Sequence, residues 1–298
     1  MPNHRFSIAP MMGWTDRHDR YFLRTISRHS LLYTEMVTTG ALIHGDSKRY
    51  LAYHKNEHPL ALQLGGSDPS DMATCARMAE DAGYDEVNIN VGCPSDRVQG
   101  GNIGACLMAT PEVVAECVDA MRCVVDIPVT VKHRIGIDDQ DSVAALNHFV
   151  QLVAAAGCET FIVHARKAWL QGLSPKQNRD VPPLDYERIY QLKKDFPALE
   201  IIINGGIKTL AETEQHLTQV DGVMMGREAY QNPYILATVD RDIFASNSEP
   251  LSREQILQKM LEYIEKEQAK GAALNHITRH ILGLYKEKYG GKSWRSML

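Results

Sequence analysis

A thiol stands in a tight turn at the end of an apolar run, Asn88-Ile89-Asn90-Val91-Gly92-Cys93-Pro94, with Gly104-Ala105-Cys106-Leu107 following closely. Neither Gly92 nor Pro94 suits a strand interior, so Cys93 is expected just past the strand, held by backbone on both sides. Most free cysteines are small buried hydrophobes. This one is expected to face outward as a general acid, because an ordinary thiol is mostly protonated at neutral pH and can hand that proton over. Other polar residues close apolar runs in the same way: Glu35, Gln63, Lys132 after Val129-Thr130-Val131, His164 after Phe161-Ile162-Val163 with Arg166 beyond it, and Asn204. Any one of them could be a satisfied core group. So many together, buried without a ligand, would leave hydrogen bonds unmet, and a polar ligand lying across them is the simpler reading.

The elements that must position these residues recur with one rhythm. Short apolar runs cover Phe6 to Pro10, Leu31 to Met36, Leu60 to Gly65, Glu86 to Gly92, Pro128 to Arg134, Thr160 to Arg166, Glu200 to Gly205 and Gly222 to Arg227. Helix-length amphipathic segments lie between them, among them Ser70 to Ala82, Pro111 to Val125, Ser142 to Ala156 and Leu210 to Gln219. Asp68-Pro69, Thr110, Asp141 and Thr209 sit where helices begin, and Gly83 and Gly157 where they end. Alternating strand and helix with near-continuous apolar strands predicts a parallel sheet. Eight such units favour an α/β architecture closed into a (β/α)8 TIM barrel, in which catalytic residues come from the C-terminal ends of different strands. The barrel is expected over residues 1–244, a linker over 245–250, and a small all-helical C-terminal domain over 251–298 with helices at Ser252 to Lys270 and Ile277 to Tyr289. The long polar loop from Lys167 to Arg179 is expected at the mouth.

Glycine-rich ends sharpen the ligand. Ile203-Asn204-Gly205-Gly206-Ile207 after the seventh strand and Met225-Gly226-Arg227 after the eighth stand where barrels bind phosphate. With Lys132 and His164 beneath, Gln63 opposite and Ala9-Pro10-Met11 at the first strand, these ends describe a seat for flavin mononucleotide. Lys132 would place positive charge near N1 of the reduced ring. No G-x-G-x-x-G separates a strand from a helix, so a resident Rossmann-bound dinucleotide is not expected.

Charge is unevenly placed. The 298 residues carry a net −5, yet residues 251–298 hold nine Lys/Arg against five Asp/Glu, while residues 1–250 carry −9. The basic tail interleaves Tyr285, Tyr289 and Trp294, which suits a polyanionic partner. Six scattered cysteines without a C-x-x-C pair suggest a reducing cytoplasm and no metal site. The first residues show no signal-peptide core, and no run of eighteen apolar residues spans a membrane. A cytoplasmic monomer is the default expectation.

The chain closely resembles the tRNA-dihydrouridine synthases. The resemblance rests on Asn90-Val91-Gly92-Cys93-Pro94 with Gly104-Ala105, Lys132-His133-Arg134, His164-Ala165-Arg166, Asn204-Gly205-Gly206-Ile207 and Gly226-Arg227. Within that family it resembles the A-type bacterial branch through His164 to Trp169, Leu173 to Lys176 and Tyr33 to Gly40. The resemblance implies FMN held by Pro10, Met11, Met12, Gln63, Lys132, His164, Asn204, Gly205, Gly206, Gly226 and Arg227, with Cys93 as the proton donor. It implies tRNA contacts at Asn90, Lys176, Arg179, Lys292 and Arg295, where Lys292 stands at a position at which many members carry Arg. It further implies hydride transfer to C6 of a D-loop uracil, positions 20 and 20a being those of the branch, with NADPH as transient reductant at the same flavin face.

Three other readings use the same residues. Lys132 near a phosphate site is also how a Schiff-base aldolase would look, although Cys93 and Gln63 would then lack a purpose. A catalytically silent RNA-binding protein would use only the tail and leave the strand ends unexplained. Dihydroorotate-type flavin reductases share the chemistry but lack a basic RNA-docking tail.

Overall fold

The computed structural model describes residues 2–95 and 101–297; Met1 and Leu298, the outer limits of the expected domain division, lie outside them. Among the described residues the strands are β1 (Phe6–Ile8), β2 (Leu32–Tyr33), β3 (Val37–Thr38), β4 (Leu60–Gly65), β5 (Glu86–Val91), β6 (Val129–Arg134), β7 (Thr160–His164), β8 (Glu200–Asn204) and β9 (Gly222–Met225). They pair in the order β1-β9-β8-β7-β6-β5-β4-β2, with β3 also on β4, and the pairings are parallel. A parallel bridge from Ser7 to Leu31 joins the two ends. Ile8 N donates to Leu31 O at 2.9 Å and Leu31 N to Phe6 O at 3.1 Å. The sheet is therefore a barrel of eight staves, as expected, with helices outside it.

One stave is built in two pieces. The expected second strand, Leu31 to Met36, is interrupted after Tyr33 and resumes at Val37. The break has a local cause: Gln63 N donates to the Thr34 hydroxyl at 3.1 Å instead of to a backbone carbonyl, and that hydroxyl donates to Glu35 O at 2.8 Å.

Strand periodicity divides the residues cleanly between two faces. Leu60, Leu62, Leu64, Val87, Ile89, Val91, Val131, Phe161, Val163, Ile201 and Ile203 point out into the main core beneath the helices. The alternate residues point into the barrel. There a small apolar cluster of Ala9, Leu31, Tyr33, Ala61, Ile162, Ile202 and Met224 shares the space with buried Glu86, Asn88, Gln63, Thr130 and Asn204. Polar groups run through the interior from Glu86 and Thr130 near the N-terminal ends of the strands to Gln63 and Asn204 toward the C-terminal ends, where the catalytic face of a barrel lies.

The helices start where the sequence predicts, except that Ser142 and not Asp141 is the cap of its helix, because the Ser142 hydroxyl is the group that reaches the first-turn N–H. Asp68 accepts from Asp71 N ahead of helix Pro69–Asp81, Ser142 accepts from Ala145 N ahead of Val143–Ala155, and Thr209 forms a capping box with Glu212 ahead of Leu210–His216. Thr110 precedes Pro111–Arg122 without a side-chain cap bond, and Pro111 at the first turn suffices to orient it. Gly83 and Gly157 take φ of +89° and +101° just past their helices, the left-handed conformation that glycine adopts without strain.

Beyond Phe244 the chain enters helix Arg253–Ala269, opened by a Ser252/Gln255 capping box. The next helix covers Leu274–Ile281, not the expected Ile277 to Tyr289, and a further short helix covers Gly291–Met297. Close packing ends the middle helix. A Cβ at Gly283 would lie 2.6 Å from Gln231 O, so the backbone is pressed against the barrel there and continues in three-residue turns. These C-terminal helices dock on helix Arg17–Ile26 through a Tyr21–Tyr263 stack at 3.8 Å, a His18–Tyr263 hydrogen bond at 2.8 Å and an Arg17–Glu267 ion pair at 2.8 Å. Among the described residues no helix is long and apolar enough to cross a membrane.

Candidate active site

The Cys93 turn is pinned through its backbone from three directions. Asn90 Oδ1 accepts from Gly92 N at 3.1 Å and Cys93 N at 2.9 Å, Gly92 O accepts from Arg134 Nε at 2.8 Å, and Cys93 O accepts from Ala105 N at 2.9 Å. None of these bonds uses the sulfur, which is left partly buried at the strand end. The Gly104-Ala105 segment singled out from sequence thus closes over the cysteine turn.

Four amides and a lysine line the floor. Asn90 Nδ2 donates to Gln63 Oε1 and Gln63 Nε2 to Asn88 Oδ1, both at 2.8 Å. Lys132 Nζ donates to Asn204 Oδ1 at 3.2 Å, while Asn204 Nδ2 donates to Met224 O at 2.7 Å. Lys132 has no carboxylate partner among the described residues, and burial, with the charge of Arg134 added, pulls its pKa down to about 7. Burial, reinforced by the Arg134 and Lys132 charges, also holds His164 well below the usual imidazole value. Since His164 Nδ1 accepts from Arg166 N at 3.2 Å, the neutral ring carries its proton on Nε2, beside Gly205.

The Lys132 shift carries a stability signature. Between about pH 7 and the ordinary lysine value of 10.5, the folded protein has released a proton that the unfolded chain still holds. The ligand-free protein should therefore gain stability as pH rises through that window. Lys132→Met is expected to remove this part of the slope, measured by urea unfolding below and within the window.

The eighth-strand side of the mouth is cationic. Gly205 and Gly206 take φ of +116° and +75°, and Tyr186 OH steadies their turn by donating to Gly205 O at 2.7 Å. A Cβ at Gly206 would lie 2.5 Å from Leu184 Cδ1, whereas one at Gly226 would meet nothing closer than Ala9 Cβ at 3.8 Å. Arg227 pairs with Asp180 at 2.9 Å. Arg166 and Arg179 lie within electrostatic reach of the same carboxylate, and each has its pKa lowered by partial desolvation and by the Arg227 charge. Arg166 Nε is buried without a hydrogen-bond partner among the described residues. Three guanidinium groups thus surround one carboxylate, and one of them keeps an idle donor.

The first strand's end completes the ring. Pro10 and Met11 are partly buried and Met12 is exposed; Met11 N donates to Thr15 Oγ1 at 2.9 Å, and Gly13 N donates to Glu35. All the residues expected to hold a cofactor thus lie at one end of the barrel. Lys176 and Arg179 are exposed on the loop after β7, and Lys292 and Arg295 on the last helix. Arg295 borders a groove of about 500 Å3 that is also lined by Tyr230, Arg279, His280 and Lys286, where the C-terminal helices meet the barrel.

The family profile described as Dihydrouridine synthase (Dus) matches residues 7–298. The chain belongs to the dihydrouridine synthase family. It is 63% identical over 293 residues to a tRNA-dihydrouridine(20/20a) synthase of Shewanella oneidensis, covering 98% of this chain and 87% of that one. A protein of the same name from Pseudomonas aeruginosa is 63% identical over 99% of this chain and 89% of its own length. One from Salmonella typhi is 62% identical over 100% and 90%. Among solved structures, a 2-naphthoyl-CoA reductase in complex with 2-naphthoyl-CoA superposes with a TM-score of 0.59 at 12% identity, over 79% of this chain and about half (49%) of that one, a likeness of fold alone.

As a member of the dihydrouridine synthase family, the chain shows two arginines in positions that reasoning from sequence left without a role. Arg134, buried, donates to Gly92 O and also to Lys167 O at 3.1 Å and Asn178 O at 3.2 Å, tying the Cys93 turn to the loop that bears Lys176 and Arg179. Arg166 contributes the idle donor described above. Both belong to motifs quoted from the sequence, Lys132-His133-Arg134 and His164-Ala165-Arg166, and their alternate-residue spacing from Lys132 and His164 was the available signal.

Proposed function

We propose that the protein reduces the C5–C6 bond of tRNA D-loop uridines, at positions 20 and 20a, to 5,6-dihydrouridine, with FMN bound in the barrel mouth and NADPH as the reductant. One observation carries the reading: the pinned Cys93 turn stands at the same barrel end as Lys132, His164, Asn204 and the arginine-lined glycine ends. The residues present fit FMN. Arg166 Nε is a buried donor lacking a partner among the described residues, a Cβ at Gly226 would meet nothing closer than Ala9 Cβ at 3.8 Å, and Lys132 is a half-buried amine without a paired carboxylate there.

In this reading Gly205, Gly206, Gly226 and Arg227 would hold the phosphate, with Arg166 beside them. Pro10, Met11, Met12, Gln63, Lys132, His164 and Asn204 would hold the rest of the cofactor. FMN, once bound and reduced by NADPH, would supply a hydride for C6 of the uracil. Cys93 then gives its thiol proton to C5, and the fixed backbone around it keeps the sulfur in place during the transfer. Asn90 would orient the base. Lys176, Arg179, Lys292 and Arg295 would bind the phosphates around a uridine drawn out of the folded tRNA, as enzymes that modify a stacked base require. Such a protein would meet its tRNA substrate in the cytoplasm.

NADPH and tRNA would use one mouth in turn. Initial rates measured against both are therefore expected to give parallel double-reciprocal lines. Intersecting lines would mean that both bind at once and would contradict a shared mouth. Family membership and the pinned thiol both favour this reading over a Schiff-base role for Lys132.

A further inference from the structure

A chain of hydrogen bonds crosses the barrel interior from its N-terminal end to the Cys93 turn. His4 sits between two carboxylates, with Nε2 at 2.5 Å from Glu86 and Nδ1 at 2.8 Å from Glu200. Burial alone would depress this imidazole, but the Glu86 charge and hydrogen bonds to both carboxylates hold its pKa at about 10, so both ring nitrogens donate. Glu86 also accepts from Tyr33 OH at 2.8 Å and from Thr130 Oγ1 at 2.6 Å. From there Asn88 Nδ2 donates to Thr130 Oγ1 at 2.9 Å, Gln63 Nε2 to Asn88 Oδ1 and Asn90 Nδ2 to Gln63 Oε1, both at 2.8 Å, and Asn90 Oδ1 receives Gly92 N and Cys93 N. Glu86, Asn88, Gln63 and Thr130 are all buried.

Every link here has a direction, and an amide or hydroxyl can serve either way round. Only the end groups are fixed: a carboxylate accepts, and a backbone N–H donates. We propose that Glu86 is a positioning residue that sets the direction of this whole chain, so that Asn90 presents its carbonyl oxygen to the Cys93 turn and Gln63 keeps its second Nε2 hydrogen for the ligand. The Thr130 hydroxyl must donate to Glu86, so it accepts from Asn88. Asn88 then turns its oxygen to Gln63, Gln63 turns its oxygen to Asn90, and the oxygen of Asn90 is left for the turn. The chain matches the turn's N–H donors only because a carboxylate stands at its far end. The catalytic consequence rests on the proposed role of Cys93; the direction itself does not.

Glu86→Gln keeps the shape but reverses the logic. At a pH low enough for Glu200 to keep His4 protonated, its Nε2–H takes the new amide's oxygen, the NH2 faces Thr130, and each link flips until Asn90 turns Nδ2 toward two N–H groups. Asn90→Asp alone faces Gln63 Oε1 with a second acceptor. Together the two substitutions agree again, because the carboxylate introduced at position 90 accepts both from the flipped Gln63 and from the turn. Backbone hydrogen exchange at Gly92 and Cys93, followed by mass spectrometry on the full-length protein, reads this directly and independently of turnover. Each single variant is expected to exchange about tenfold faster at these amides, and the double variant to return to near the parent rate. Thr130→Val should also exchange faster, and Thr130→Ser should not, which decides the matter even if Glu86→Gln fails to fold. Unchanged exchange in Glu86→Gln and Thr130→Val, no recovery in the double variant, or equal effects of Val and Ser at 130 would overturn the proposal. So would a general rise along β5 and β6 in every variant. A failure of Cys93 as acid would appear in kinetics alone, leaving the exchange pattern intact.

Discussion

Cys93→Ala should bind FMN and accept electrons from NADPH at the parent rate, yet pass them to tRNA about 10²- to 10⁴-fold more slowly, the range that a positioned general acid contributes. The separation follows from geometry. The bonds that pin the turn use the backbone of residues 92 and 93 and the Asn90 side chain, none of them the sulfur. Alanine therefore leaves the turn and the cofactor seat standing while removing the proton donor proposed for that strand end. Anaerobic stopped-flow measurement of the two half-reactions distinguishes the effects. Equal slowing of both would mean that Cys93 shapes the cofactor site, and parent-rate dihydrouridine formation would remove it from the mechanism.

Raising monovalent salt from about 50 to 200 mM should weaken tRNA binding about a hundredfold, if the four expected phosphate contacts each release condensed counterions. Lys176, Arg179, Lys292 and Arg295 are all exposed, as groups awaiting a polyanion must be. Alanine at any one of them should reduce the slope of log affinity against log salt by about 1. Arg179 makes the sharpest case, because it stands on the loop that Arg134 ties to the Cys93 turn. A slope that stays flat in filter-binding or fluorescence titrations would put the RNA surface elsewhere.

Much of this architecture could be read from residue order. Apolar runs with turn residues between them marked all eight staves, and inward polar residues at their C-terminal ends marked one face of the barrel. The reading faltered where a side chain competes with the backbone or where packing overrides periodicity. Thr34 offers its hydroxyl to Gln63 N and so splits the second stave, which no hydropathy pattern reveals. Tyr285 and Tyr289 continue the helical period past Ile281, but Gly283 is forced against Gln231 O, and Tyr289 ends fully exposed. In the candidate site, strand ends were legible because position alone singles them out. Glu86, Asn88 and Thr130 were not, since a polar residue inside a strand reads as a packed partner. Their signal was parity: Glu86, Asn88 and Asn90 alternate on β5, as Thr130, Lys132 and Arg134 do on β6, which sends each series into the barrel. Arg134 stayed hidden because the carbonyls it gathers come from segments far apart in sequence.

The most direct test mixes NADPH-reduced protein, freed of excess NADPH without oxygen, with tRNA that lacks dihydrouridine. The account predicts that the flavin spectrum returns in a single turnover while an equivalent of dihydrouridine forms at positions 20 and 20a. A protein that stays colourless after incubation with FMN, or a reduced flavin that tRNA fails to reoxidise, would contradict it.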